Sequence, residues 1–437
     1  LEKFRESLKV KKERAVLVGA IVHRESVSDD LSELSALAQS AGAVVVDHFQ
    51  QKIRKISAAT YIGKGKAERL RGRVKTKNAD VVIFDNDLSP RQRGKLEEMI
   101  NVKVLDRSEL ILDIFANRAK TRQAKLQVEL AQLEYTYPRL KKMWSHLDTL
   151  AGAGGAGAAG AVGGIGTRGP GEKQLEIDRR LVTKRISELK QDLATIDKRK
   201  IREIQGRTST FKICLVGYTN AGKSTLLNAL TDSDVLVEDR LFATLDTKTR
   251  QWNLARGADA LLSDTVGFVR NLPHQLIASF KATLEEAVNA DLLLHVVDVS
   301  NPDAHHQIES VNSVLAEIGC GEKPVIMLFN KSDAIRSISE YETLVTIYPD
   351  TLTISAKTGF GFDELTKTVL ARFRGSSLLL RVTASQSDGK VQSFLRAFGE
   401  IISEEYSNES VQIDARLGSN QMPQLRKLRP LKIEMLS

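Results

Sequence analysis

The chain has 437 residues, 42% of them hydrophobic and 27% charged, with a formal net charge of +9. That length exceeds one ordinary core and predicts roughly two to four domains, while the composition excludes a disordered chain and no apolar run is long enough to span a bilayer. The positive balance favours a polyanionic partner over a basic enzyme that only binds phosphates, and the 2 cysteines, Cys214 and Cys320, lack the spacing of a zinc site or a disulfide framework.

In chain order, Ala15 to Val22 reads as a buried strand, and Ser28-Asp29-Asp30 caps a helix expected to run to about Ser40. Ala43 to Val46 and Val81 to Phe84 are further strands, so residues 1–115 are expected to form a small α/β domain with parallel pairing. In Gly63-Lys64-Gly65-Lys66 a turn is favoured over a second phosphate site, because the P-loop spacing and following hydroxyl are missing. Asp85 and Asp87 lack a third metal ligand and are read as strand-end and turn residues.

Residues 116–205 carry two apolar seams. Leu126, Leu130, Leu133, Tyr137, Leu140, Trp144 and Leu147 form the first, and Val182, Ile186, Leu189, Leu193 and Ile196 the second. Steps of three and four place each set on one helix face, predicting an antiparallel helical hairpin, with Pro138 expected to kink or restart the first helix. Between the seams, about residues 150–172, lies a glycine-rich stretch ending in Thr167-Arg168-Gly169-Pro170-Gly171. A plain flexible linker suits its composition; its place between two helices and the cation Arg168 point instead to RNA contact.

Residues 206–375 alternate strands and helices. Gly217-Tyr218-Thr219-Asn220-Ala221-Gly222-Lys223-Ser224 follows an apolar strand and opens a helix, the setting in which glycines and backbone N–H groups cradle phosphates. Lys223 is expected on the β- and γ-phosphates and Ser224 on Mg²⁺. Asp264-Thr265-Val266-Gly267 supplies a carboxylate for the Mg²⁺ shell and a Gly267 N–H for the γ-phosphate. Asn330-Lys331-Ser332-Asp333 offers a carboxylate able to accept from guanine N1–H and its exocyclic amine, and Ser355-Ala356-Lys357 fits the loop over the base. Together these predict a P-loop GTPase binding GTP or GDP with Mg²⁺. Within Phe242-Ala243-Thr244-Leu245-Asp246, also expected at the nucleotide, Thr244 is the candidate second Mg²⁺ ligand, with Thr247 and Thr249 as competitors. Lys223, Thr244 and Gly267 are the expected catalytic set. Phe268 stands where Ras-like proteins carry a water-orienting glutamine; it cannot hydrogen-bond water, so intrinsic hydrolysis is expected to be slow. Residues 376–437 are expected to form a small α+β domain: a strand from Leu378, a helix from about Gln386 to Ser403, and a strand from Val411 to Ala415.

The chain resembles the HflX family of translation-associated GTPases. Besides the nucleotide motifs, the likeness rests on Tyr61-Ile62-Gly63-Lys64-Gly65-Lys66, on Phe84-Asp85-Asn86-Asp87-Leu88-Ser89-Pro90-Arg91-Gln92, and on Gly166 to Arg180, and is weakest in the C-terminal region. The resemblance implies binding to the large ribosomal subunit and its rRNA, and splitting of stalled or idle ribosomes. It also implies that the glycine-rich stretch reaches toward the peptidyl-transferase centre. With Phe268 leaving the free protein slow, ribosomes are expected to stimulate hydrolysis, and a monomer without stable membrane insertion is expected. A ribosome-assembly GTPase or an RNA-remodelling enzyme are the alternatives, the latter disfavoured because no second Walker motif is present. One departure stands out: Leu245-Asp246-Thr247-Lys248 replaces the family's usual Leu-Asp-Pro-Thr. A cytoplasmic location is expected, and an organellar one stays open because the chain starts at Leu1 rather than Met.

Overall fold

The first strand, β1 (Arg14–Val22), owes its central place to a run without polar side chains: Ala15, Val16, Leu17 and Val18 are fully buried. A strand buried on both faces is the mark of a parallel sheet. The computed structural model describes residues 12–22, 31–153, 170–205, 211–231, 241–242, 247–255, 258–270, 284–375, 377–387, 389–407 and 409–436. They divide into two units, the first holding the described residues up to Gln205 together with Leu241 and Phe242.

In the first unit β1 is followed by α1 (Ser32–Ser40), β2 (Val44–Ile53), α2 (Lys64–Lys77), β3 (Val81–Phe84), α3 (Pro90–Ile100), β4 (Lys103–Asp106) and α4 (Arg107–Arg118). The four strands form a parallel sheet in the order β2-β1-β3-β4. The expected cap at Ser28-Asp29-Asp30 lies outside the described residues. Gly63, at φ 88°, is the turn before α2, and Lys66 Nζ donates to the Lys52 carbonyl at 2.7 Å. Asp85 accepts from Arg107 at 2.6 Å and Asp87 from the Ser108 hydroxyl at 2.6 Å. Glu33 completes the ion pairing of the buried Arg107 guanidinium.

The helices α5 (Arg122–Ala153) and α6 (Pro170–Gln205) pack through Leu126, Leu130 and Leu133 against Ile186, Leu189 and Leu193. The helix α5 does not restart at Pro138 but continues through it, because a proline costs one main-chain hydrogen bond and does not by itself end a helix held by its packing. The expected antiparallel direction is corrected. The helices are not antiparallel: Arg185 pairs with Glu129 at 2.7 Å and Lys190 with Glu134 at 2.8 Å, so both chains advance together. An apolar seam has the same period whichever way its partner runs, so direction is not written in it. The helix α6 also starts at Pro170, a residue suited to a first turn where its missing N–H has no partner to lose. The glycine-rich stretch from 154 to 169, with Arg168, lies outside the described residues.

The second unit begins with β5 (Phe211–Gly217), α7 (Lys223–Thr231), β6 (Lys248–Ala255), β7 (Ala258–Asp264) and β8 (Leu292–Asp298). It continues with α8 (Ala304–Glu317), β9 (Val325–Asn330), α9 (Ile338–Ile347), β10 (Thr351–Thr353) and α10 (Phe362–Arg374). These strands form a six-stranded sheet, β10-β9-β8-β5-β7-β6, parallel except for the β6–β7 pair. Ile213, Leu215, Leu262, Leu294 and Val296 build its core against α7 and α10. Every parallel strand ends toward one edge, so the loops after β5, β7, β8, β9 and β10 gather there, where ligands of open α/β sheets bind.

The rest of this unit is β11 (Ser377–Ser385), α11 (Gly389–Phe398), β12 (Glu400–Tyr406), β13 (Ser410–Gly418), α12 (Met422–Lys427) and β14 (Lys432–Met435). The antiparallel order β12-β13-β11-β14 makes it a split β-α-β arrangement, β-α-β-β-α-β along the chain. The helix expected to reach Ser403 stops at Phe398, and Glu400 to Tyr406 is a strand. The close approach of Gly399 to the Leu395 and Arg416 carbonyls marks the break.

Candidate functional site

The phosphate loop is the turn from β5 into α7. Gly217 has φ 150° and Gly222 φ 96°, and a side chain on either would collide, with the Val296 carbonyl at 2.3 Å and with the Asn330 amide at 2.3 Å. Asn220, at φ 61°, takes the left-handed conformation that asparagine tolerates better than most residues. The turn leads directly into the first turn of α7, and the N-terminus of a helix attracts anions. Lys223 is 6% exposed and curls back so that Nζ donates to the Gly217 and Tyr218 carbonyls at 3.1 and 2.8 Å. Burial pulls its pKa down to about 8, against the opposing pull of the Asp264 carboxylate.

The end of β7 delivers Asp264 to the same place. Its Oδ2 accepts from Ser224 Oγ at 2.6 Å, so a carboxylate and a hydroxyl converge as oxygen donors of the kind a hard divalent cation takes. Thr265 ties this loop to β5 through a 2.7 Å bond to the Leu215 carbonyl. Val266 is buried, and Gly267 lies against Thr219 and Lys223. Phe268 is buried, with its main chain bonded to the phosphate loop: Thr219 N–H donates to its carbonyl at 2.8 Å, and its own N–H donates to the Gly217 carbonyl at 3.1 Å.

The loops after β9 and β10 meet the phosphate loop through one side chain. Asn330, 1% exposed, donates from Nδ2 to the Ala221 carbonyl at 2.8 Å and accepts at Oδ1 from the Ala356 N–H at 2.9 Å. Lys331 pairs with Asp298, at the end of β8, at 2.7 Å. Ser332 and Asp333 form a short 3-10 turn that leaves Asp333 exposed. Its Oδ1 accepts from Ser355 Oγ at 2.6 Å, and that bond holds its pKa below the ordinary carboxylate value, with Lys357 and Lys331 adding smaller pulls. Phe242 belongs to the first unit, where its ring meets Phe115 edge-on at 4.5 Å between centroids. Ala243, Thr244, Leu245 and Asp246 lie outside the described residues.

Four nucleotide-type motifs thus follow parallel strands at one edge of the sheet, and comparison with known proteins agrees. Family profiles described as GTP-binding GTPase N-terminal, GTP-binding GTPase middle region and 50S ribosome-binding GTPase match residues 28–116, 118–207 and 212–331. Over 422 residues the chain is 42% identical to the GTPase HflX of Lacrimispora saccharolytica, covering 94% of this chain and 95% of that protein. The chain belongs to the HflX family of GTPases. The HflX of Escherichia coli is 39% identical over 432 residues, 97% of this chain and 98% of that protein. Among solved structures, a GTP-binding protein from Sulfolobus solfataricus in complex with GDP aligns over 83% of this chain and 98% of its own, at 23% identity and a TM-score of 0.43. As a member of the HflX family the chain binds guanine nucleotide and hydrolyses GTP.

Sequence reasoning missed two residues of this HflX site. Asp298 holds Lys331, and its only signal is its place at the end of an apolar strand. His295, on β8 beside Val216, is buried with no partner for Nδ1 among the described residues; burial and the nearby Lys223 charge lower its pKa to about 4, keeping it neutral. An open cavity of about 800 Å³, lined by Phe211, Phe373, Pro423 and Lys427 among others, sits where β5 and β8 begin. The phosphate loop is at the other end of those strands, so this cavity is separate from the nucleotide site.

Proposed function

We propose that this HflX GTPase is a nucleotide-gated factor of the large ribosomal subunit: GTP and Mg²⁺ place it on the ribosome, which it splits, and hydrolysis releases it. The nucleotide half rests on the Asn330 junction, which holds the phosphate loop, Asp333 and the Ser355-Ala356-Lys357 loop in one arrangement. Asp333, steadied by Ser355, accepts from guanine N1–H and the exocyclic amine, a donor pair adenine does not offer. The N–H groups of the phosphate loop and Lys223 hold the phosphates, and the Gly267 N–H reaches the γ-phosphate. Ser224 and Thr244 are the metal ligands, with Asp264 anchoring the surrounding shell; Mg²⁺ there offsets the charge of the phosphates. Phe268 offers no hydrogen bond to an attacking water, so the free protein is slow, roughly 10⁻⁴ to 10⁻² per second. Large subunits raise that rate.

The ribosomal half is supported by the profile described as a 50S ribosome-binding GTPase, by the net charge of +9, and by the glycine-rich stretch carrying Arg168. A backbone with few side chains can approach rRNA closely, and Arg168 can pair with a phosphate or stack on a base. Co-sedimentation and light scattering on the same samples test this. With a non-hydrolysable GTP analogue the protein should pellet with large subunits and split intact ribosomes, and with GDP it should do neither. Replacing residues 152–166 by a short linker should spare pelleting and abolish splitting, with Arg168→Ala showing a milder form of the defect. Binding confined to precursor subunits, with mature ribosomes left intact, would make the protein an assembly factor instead.

A further inference from the structure

Tyr218, the second residue of the phosphate loop, is 6% exposed, and its hydroxyl oxygen accepts from the Arg270 N–H at 2.6 Å. This bond continues a short main-chain pairing in which Thr219 donates to Phe268 and Phe268 to Gly217. Among the described residues, three hydrogen bonds thus fasten the six residues after Asp264 to the phosphate loop. Two of them are made by backbone and would form with other residues in place; the third exists only because residue 218 is a tyrosine. The fastened segment includes Gly267, so close that a Cβ there would stand 2.8 Å from Thr219 Cα and 3.0 Å from Lys223 Nζ. No protein acceptor takes the Gly267 N–H among the described residues. The Gly267 main chain therefore lies beside the Lys223 ammonium, the group expected on the phosphates.

We propose that Tyr218 is a positioning residue that clamps the Asp264–Arg270 segment and so presets the Gly267 N–H for the terminal phosphate of GTP. Pre-organised donors bind without first giving up conformational freedom. The clamp acts on the third phosphate and leaves the first two to the loop itself, so it favours GTP over GDP. Its loss must appear as a change in the ratio of the two affinities. This rests on Gly267 as the γ-phosphate donor, so the experiment carries its own check of that role.

The test measures Kd for GDP and for a non-hydrolysable GTP analogue in the full chain and in Tyr218→Phe, which keeps the ring and removes only the hydroxyl. The ratio should move against the triphosphate by about threefold to tenfold, the size of one neutral hydrogen bond. In the same variant, hydrogen exchange at the Arg270 amide should accelerate in the nucleotide-free protein. Gly267→Ala should also move the ratio against the triphosphate. If it does so while Tyr218→Phe leaves the ratio unchanged, the clamp is overturned and the Gly267 role stands. A Tyr218→Phe ratio that moves toward the triphosphate also overturns it, because the bond would then be holding the segment shut. A ratio unaffected by Gly267→Ala removes the ground from both.

Discussion

Replacing Asn330 by alanine strips two partners from buried main chain at once. The Ala221 carbonyl loses the Nδ2 donor at 2.8 Å and the Ala356 N–H loses the Oδ1 acceptor at 2.9 Å. Both bonds are buried, and Asn330 itself is 1% exposed. A buried group left unsatisfied costs about 1–3 kcal/mol, so the pair sets a range of about 2–6 kcal/mol. A water entering the vacated space recovers part of this, which puts the expectation near 2–4 kcal/mol. That is a large share of the ~5–15 kcal/mol that holds an ordinary domain together. Gly222 adds to the effect, because its φ of 96° is packed directly against the Asn330 amide. Asn330→Asp separates the two bonds: it keeps an acceptor for Ala356 but turns a carboxylate oxygen toward the Ala221 carbonyl, and should cost at least as much.

The chain has 2 tryptophans, and Trp252 lies buried on β6 of the GTPase sheet. In a Trp144→Phe background its fluorescence follows denaturant unfolding of that sheet alone, which avoids treating several domains as one transition. Asn330→Ala should lower the midpoint by the equivalent of about 2–4 kcal/mol, and weaken GDP by about tenfold to a hundredfold if roughly 1.4–2.8 kcal/mol of that loss falls on the bound state. A loss under about 0.5 kcal/mol with GDP affinity unchanged would refute the view that one side chain holds the three loops together.

Two further outcomes follow from the same geometry. Asp333→Asn should weaken GTP by several kcal/mol while rescuing xanthosine triphosphate, because a donor would then face guanine's donors; competition binding with both nucleotides checks this, and unaltered GTP affinity would sink the role of Asp333. Lys223 has a pKa lowered to about 8 by burial, so its charged form costs stability below that pH, and the cost fades as pH rises toward the ordinary 10.5. Bound phosphates restore the proton, so GDP binding near pH 8.5 should take up roughly three-quarters of a proton, seen as buffer-dependent calorimetric heats, and affinity should fall as pH rises above about 8. Heats that do not depend on the buffer at that pH would mean Lys223 is already fully charged.

The sequence displays the parallel sheets because strands such as Ala15 to Val18 and Ile213 to Val216 are apolar without interruption, and only burial on both faces asks for that. The strand β12 escapes because Glu400-Ile401-Ile402-Ser403-Glu404-Glu405-Tyr406 has no clean alternation and follows the helix α11 after a single glycine. The direction of α6 along α5 escapes for a different reason: it is carried by Glu129, Glu134, Arg185 and Lys190, surface charges whose pairing depends on the fold already being made.

The nucleotide site divides along the same line. Residues proposed to act on the nucleotide follow from element and spacing, so Lys223, Ser224, Asp264 and Asp333 can be named from a motif. Residues whose chemistry is with other loops cannot. Asn330 is found by its motif, yet nothing in that motif says that its amide reaches Ala221, 109 residues back, and receives Ala356, 26 residues on. Tyr218 is a variable position of the phosphate loop by pattern, and its bond to Arg270 spans 52 residues. These bonds set how firmly the loops are held before any ligand arrives, and therefore how much of the binding energy is left for telling one nucleotide from another. Motif spacing thus announces the ligand class a site is built for, while the bonds of Asn330 and Tyr218 that tie its loops together span 26 to 109 residues and leave no local pattern.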